Sequence, residues 1–156
     1  LHSHDDSRIT LQLADENATI ALAARLAAQL QPGMVIYLHG DLGAGKTCMV
    51  RGILNALGYG GRVKSPTYTL LESYHAAGLD LCHFDLYRLQ DEGEWESAGF
   101  RDEFDGQAVF LIEWPEKAQP FIPPADLLID LKILPQGREV VISGKTTMGQ
   151  ACLEQL

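Results

Sequence analysis

Positive charge is in short supply in this sequence. Its 12 Lys and Arg stand against 21 Asp and Glu, and the formal net charge of −9 argues against a nucleic-acid surface, which normally carries a basic patch. If RNA is involved, a partner holds it. Cysteine is scarce too: Cys48, Cys82 and Cys152 are scattered, odd in number and without metal-ligand spacing. They read as reduced cytosolic thiols or core residues, not as a disulfide framework or a zinc site. No run of about 18 apolar residues occurs, so no membrane span is expected and the chain reads as cytoplasmic. A secretory signal, internal repeats and low-complexity tracts are also lacking, as is a linker long enough to divide domains.

What remains suits one globular domain. With 156 residues and 46% hydrophobic composition, the chain is long enough to bury a full core. The segment from Leu1 to Asp6 carries His2 and His4, which could bind a metal, but it reads as a floppy terminus. Residues 1–8 are therefore expected to be a disordered or appended end, and residues 9–156 a single domain.

Within that domain, Gly40-Asp41-Leu42-Gly43-Ala44-Gly45-Lys46-Thr47 fits the phosphate-loop pattern G-x-x-x-x-G-K-[ST]. Binding a polyphosphate requires several backbone N–H donors within hydrogen-bonding distance, and side chains at the turn would block that approach. Glycines remove the obstruction and permit positive φ angles. Lys46 is placed to reach the β- and γ-phosphates, and the Thr47 hydroxyl to hold Mg²⁺. The context agrees. Met34 to Leu38 is a short apolar run suited to a buried parallel strand, while Val50, Ile53, Leu54 and Leu57 recur at helical spacing before Gly58. A helix starting at Lys46 would aim its free amides at the phosphates. Gly144-Lys145-Thr146 is a decoy, because Glu139 stands where the first glycine should be.

The remaining elements follow from periodicity. Arg8 to Leu13 alternates as a half-buried strand, and Asp15 or Asn17 caps a helix with a Leu22, Leu26, Leu30 stripe. The glycine-rich segment Gly58 to Thr67 is either a loop that orders around Mg²⁺ and a γ-phosphate or a plain connection. Tyr68 to Tyr74 and Leu79 to Leu86 make a hairpin around Ala76-Ala77-Gly78. Asp91 to Phe104 gives one or two short acidic helices, a solvated face or a docking surface, with Trp95 and Phe100 tucked in. Leu127 to Leu134 and Arg138 to Ser143 form a second hairpin around Pro135-Gln136-Gly137, and the tail after it has helical character.

Two carboxylates end apolar strands. Asp85 closes the strand through Cys82-His83-Phe84, at the edge where open α/β sheets place ligand sites. A carboxylate there can bind magnesium through water. His83 reads as structural and not as a general base. Glu113 ends Val109-Phe110-Leu111-Ile112, and desolvating a carboxylate without a partner is costly. It needs a cation, a water network or solvent at the sheet edge. Trp114 after it reads as core or interface.

Together with Lys64-Ser65-Pro66-Thr67-Tyr68-Thr69-Leu70, His83-Phe84-Asp85-Leu86-Tyr87-Arg88-Leu89 and Glu113-Trp114-Pro115-Glu116-Lys117, the phosphate loop makes this chain closely resemble the bacterial TsaE (YjeE) family from about Ile9 to Ser143. These are small ATPases required for threonylcarbamoyladenosine modification of tRNA. The resemblance implies binding of ATP or ADP with Mg²⁺, weak hydrolysis by the isolated protein, and action with TsaB and TsaD. Those partners transfer the threonylcarbamoyl group made by TsaC to tRNA, so tRNA is met only indirectly. It also implies that Leu42, Gly43, Ala44, Gly45, Lys46 and Thr47 hold the phosphates. Thr47 and Glu113 would act at Mg²⁺ with Asp85 and Thr67 near it, Glu16 and Arg138 would contact nucleotide, and catalysis would fall to Lys46, Asp85 and Glu113. Cys48 departs from the family's more usual Thr, without disturbing phosphate contacts.

The expected architecture is a P-loop NTPase-like three-layer α/β sandwich, mainly parallel with an antiparallel portion, with nucleotide at the strand carboxyl ends. A small-molecule kinase is one alternative, but no Arg-rich lid stands out. A GTP-type switch is another, but the guanine-reading Asn-Lys-x-Asp is absent. Activation of the attacking water is left between Glu113, Asp85 and a partner residue.

Overall fold

The structure, a computed structural model, describes residues 7–156 other than Thr67, Asp105 and Pro120. The alternating segment at the start forms strand β1 (Arg8–Leu13), so Arg8, assigned above to the terminal segment, is its first residue. Asp15 caps helix α1 (Glu16–Ala27), its side chain accepting from the Ala18 amide at 2.9 Å. This satisfies one of the amides a helix start leaves unpaired. Leu22 and Leu26 are fully buried, whereas Leu30 lies beyond the helix and only packs against the core.

Strand β2 (Val35–His39) leads through residues 40–45 into helix α2 (Lys46–Ala56). Helices α1 and α2 meet closely because Gly52 has no side chain. A Cβ there would lie 2.7 Å from that of Ala23. Strands β3 (Leu71–Ala76) and β4 (Leu79–Asp85) form the expected hairpin, turning through Ala77 and Gly78 at φ 53° and 77°, the handedness that tight hairpins favour. Its first strand starts later than the sequence suggests, because residues 68–70 are spent on a turn that leaves Leu70 at φ 66°.

Helix α3 (Glu92–Ala98), capped by Asp91, and a 3₁₀ turn (Phe100–Glu103) fill the acidic segment. Strand β5 (Val109–Glu113) is buried along its whole length. Strands β6 (Leu127–Ile133) and β7 (Arg138–Gly144) form the second hairpin, and α4 (Thr147–Glu154) ends the chain. The decoy Gly144-Lys145-Thr146 serves this last corner. Thr146 accepts from the Gly149 amide at 3.1 Å and donates to Asp126 at 2.6 Å. Gly149 is required there by close approach, since a Cβ would fall 1.8 Å from the Asp126 carbonyl oxygen.

All seven strands join one sheet in the order β1-β7-β6-β2-β5-β4-β3. The central pairs β6–β2, β2–β5 and β5–β4 are parallel, and the outer pairs are antiparallel. Only β3 and β7 therefore run against the others. One face carries Ile36, Leu38, Leu111 and Ile129 under α1 and α2. The other carries Tyr37, Phe84, Phe110 and Ile112, against which Trp95 and Phe100 pack, both buried as expected. Each layer thus hides one apolar face of the sheet. The carboxyl ends of β2, β4 and β5 are left to meet at a single edge.

Candidate active site

That edge is where the glycine loop lies. Gly40 takes φ 149°, and a Cβ on it would come 2.7 Å from the Leu131 carbonyl oxygen. Gly43 and Gly45 take φ 83° and 109°, with nothing within 4 Å of an added Cβ. The first glycine is thus demanded by the sheet beneath it. The other two are demanded by backbone conformation, and they leave the loop open on its outer side. Gly45 precedes α2 and no side chain caps the helix, so its first amides face the opening uncovered. A cleft of about 490 Å³ lies there, lined by the loop from Leu42 to Cys48, by Asp85 and Glu113, and by Glu16 and Arg138. All the residues assigned to nucleotide above are therefore brought to one cavity. Thr67 lies outside the described residues.

Lys46 is only 5% exposed. Its ammonium donates to the carbonyls of Gly40 and, at 3.1 Å, Asp41, and it sits 4.5 Å from the centroid of the Trp114 ring. Burial pulls its pKa below the ordinary lysine value, while the charges of Glu113, Asp85, Asp41 and Glu116 pull the other way. These carboxylates favour the charged form that an anionic ligand needs.

Glu113 and Asp85 stand opposite each other on the neighbouring parallel strands β5 and β4. Thr47, at the start of α2, places its hydroxyl 3.2 and 3.4 Å from the two oxygens of Glu113. Burial, and then the charge of Glu113, raise the Asp85 pKa above its usual 3.8, against a hydrogen bond from the Tyr87 amide and the nearby His83 and Lys46. Two carboxylates and a hydroxyl in this arrangement suit a hard cation. Among the described residues no three His, Cys, Asp or Glu side chains are grouped as a metal cage, so such a cation would draw its other ligands from phosphate and water.

The raised pKa has a stability consequence. The folded chain binds the Asp85 proton more tightly than the unfolded chain does. The Asp85 contribution to stability therefore falls as pH rises from the ordinary aspartate pKa through the raised folded value. Without divalent cations at neutral pH, Asp85→Asn should melt above the wild type, and the gap should close in acid. A melting series from pH 3 to pH 8 checks this, and an asparagine variant less stable throughout would refute it.

Arg138 opens β7 beside the loop. Its guanidinium donates to the carbonyls of Ala44 at 3.2 Å, Gly43 at 3.1 Å and Gly137 at 2.8 Å. It holds the glycine loop from the side and neutralises carbonyl dipoles there. Glu16, first in α1, faces the loop across the cleft, and after burial its charge is the next influence raising the Cys48 thiol pKa. Leu42 is 61% exposed at the mouth. The segment after α2 is tied to β3: the Lys64 amide donates to the Tyr74 hydroxyl at 2.9 Å, that hydroxyl donates to the Lys64 carbonyl at 3.1 Å, and the Tyr59 ring meets the Tyr74 ring edge-on.

Two contributors escaped the sequence reading. Trp114, read as core or interface, takes φ 57° and presents its ring to Lys46, with the Tyr87 ring 4.9 Å away. Such a backbone costs about 1–3 kcal/mol and persists only where the surroundings impose it. His83 is completely buried, with Nε2 2.7 Å from a Glu113 oxygen. Its position two residues before Asp85 put it on the same strand face, a signal that alternation alone carried.

The mixed sheet, the strand–glycine loop–helix unit and the paired strand-end carboxylates define a P-loop NTPase-like α/β protein. The chain belongs to the TsaE family, whose model, described as threonylcarbamoyl adenosine biosynthesis protein TsaE, matches residues 13–141. A Haemophilus influenzae protein named tRNA threonylcarbamoyladenosine biosynthesis protein TsaE is 41% identical over 147 residues, covering 91% of this chain and 93% of its own. A Bacillus subtilis protein of the same name is 41% identical over 114 residues, 73% of this chain and 71% of its own. The crystal structure of Bacillus subtilis YdiB superposes with a TM-score of 0.80 at 30% identity, covering 95% of this chain and 93% of its own. No helix among the described residues is long and apolar enough to cross a membrane.

Proposed function

We propose that this chain is a magnesium-dependent ATPase subunit of the machinery that makes threonylcarbamoyladenosine in tRNA, working with TsaB and TsaD. The observation that carries the reading is the meeting of Thr47 and Glu113 beside an open glycine loop. Family membership supplies the pathway. In this reading the loop amides from Gly43 to Thr47 and the start of α2 bind the phosphates, and Lys46 leaves its carbonyl partners to meet the β- and γ-oxygens. Thr47, Glu113 and Asp85 hold Mg²⁺, which when bound neutralises charge on the β- and γ-phosphates. Glu113 or Asp85 orients the attacking water, and Trp114 shields Lys46 from solvent.

The partners have a physical role in this scheme. Phosphoryl transfer depends on positioning and on charge neutralisation around the transferred group. Arg138, which lines the cleft with Lys46, is already engaged with loop carbonyls. Docking would add a further cation. ATP should in turn favour docking, because coupling between two binding events is reciprocal. The test is turnover of ATP and GTP by the chain alone and with TsaB and TsaD, alongside partner affinity with ATP and with ADP. Faster ATP turnover in the complex, and tighter docking with ATP than with ADP, are expected. Equal affinities with unchanged turnover would leave a free-standing hydrolase, and phosphoryl transfer to a small acceptor would make it a kinase.

A further inference from the structure

The face of β4 that looks toward α2 changes character along its length. Leu81 is fully buried, His83 follows two residues on and is also fully buried, and Asp85 reaches the cleft. Beside it on β5, Leu111 lies opposite His83 and Glu113 opposite Asp85. The imidazole therefore sits between an apolar floor and the two carboxylates, below the cleft and out of reach of solvent.

Its two nitrogens are treated differently. Nε2 lies 2.7 Å from Oε2 of Glu113, whereas Nδ1 is buried with no hydrogen-bond partner among the described residues. With a hydrogen on Nε2 the ring donates to the carboxylate. Glu113 is 3% exposed. It also meets the Thr47 hydroxyl at 3.2 and 3.4 Å, longer than a good O–H···O bond of roughly 2.5–3.0 Å. The short bond that fixes this carboxylate is the one from His83.

We infer that His83 is a positioning residue: it clamps Oε2 of Glu113 from beneath the cleft, so that the carboxylate keeps its aim when Thr47 turns to a bound cation. The inference rests on the nucleotide reading above and adds a group to which that reading gives no role. Thr47 cannot serve both ends at full strength, because its hydroxyl is the ligand that must move. His83 makes no contact with substrate and acts only through Glu113. It corresponds to the outer partner that fixes a ligating side chain at a metal site.

Three variants test this. His83→Gln carries an amide N–H near the place of Nε2, His83→Asn carries one too short to reach Glu113, and His83→Leu carries none. Magnesium-dependent and magnesium-free ATP affinities would be measured for each, the latter in EDTA, together with hydrolysis and the histidine ring ¹⁵N shifts of the wild type. Losing an outer partner of this kind typically costs about 10–100-fold in metal affinity or activity. The asparagine and leucine variants should lose the affinity gained from magnesium and about ten-fold in turnover, with affinity in EDTA unchanged. The glutamine variant should retain most of both. The ¹⁵N shifts should show a ring with a hydrogen on Nε2 in a signal absent from every variant. If the leucine variant does not fold, glutamine against asparagine decides. Equal loss in these two, or loss of affinity in EDTA as large as with magnesium, would make His83 merely structural. A ring with its hydrogen on Nδ1 and none on Nε2 would overturn the clamp outright. A wild type that binds no MgATP would instead refute the functional reading, and the ring shifts and the variants' melting temperatures would then judge the clamp alone.

Discussion

In the Lys46→Ala variant, MgATP is expected to leave the melting temperature almost where it stands without nucleotide. A ligand that binds only the folded state stabilises it by about 2.7 kcal/mol at a hundred times its dissociation constant. For a chain of this size, about 2–4 °C of melting temperature accompanies each kcal/mol, so the wild type should gain roughly 5–11 °C. The lysine is the cation at the heart of the cleft, held by the Gly40 and Asp41 carbonyls and covered by Trp114. Its removal also leaves Asp85 and Glu113 less opposed, since Lys46 is among the charges that lower the Asp85 pKa. The variant's melting temperature without ligand is therefore expected to differ from the wild type's. The quantity to compare is therefore the shift within each protein, by differential scanning fluorimetry over a nucleotide titration. A shift in Lys46→Ala as large as in the wild type would mean that the glycine loop is not the site.

The second large effect is on chemistry. Glu113→Ala should depress ATP hydrolysis by about ten-fold or more, at roughly 1.4 kcal/mol of barrier per decade, and lose the affinity gained from magnesium, while nucleotide binding in EDTA stays largely intact. Phosphate contacts come from the loop and Lys46, and Glu113 stands behind Thr47 at the cation position. The burial of Glu113 adds a complication. Alanine would strip the His83 ring of its partner inside the protein, and an orphaned buried group costs about 1–3 kcal/mol of stability. Glu113→Gln keeps the shape and separates the two losses. It should retain more stability than the alanine variant yet hydrolyse as poorly, because the amide lacks the charge. Normal turnover in both variants would make Glu113 structural and pass the catalytic role to Asp85. Single-turnover hydrolysis alongside nucleotide affinity reads both outcomes.

Much of this protein was determined by short stretches of sequence. The glycine loop, the helix beginning at Lys46, the buried strand ending at Glu113 and the hairpin from Leu127 to Ser143 all lie where local pattern puts them. Each depends on neighbours a few residues away: alternation in a strand, a 3.6-residue stripe in a helix, glycine where φ turns positive. Family motifs then collected the same loop and carboxylates into one expected site. Tertiary structure decided who meets whom. The placement of β5 between β2 and β4 sets Asp85 beside Glu113 and gives Glu113 its buried partner in His83. The sequence leaves that carboxylate open to a cation, water or solvent, because lateral strand order and register are set by long-range burial. Arg138 reaches Ala44 across a separation of 94 residues, and its local motif says nothing of the loop carbonyls it holds. The left-handed turn at Trp114 runs against the residue's own preference and sets its ring beside Tyr87 and against Lys46. Local preferences are short-ranged and can be read along the chain. The partners of a buried charge are chosen only when distant strands close over it.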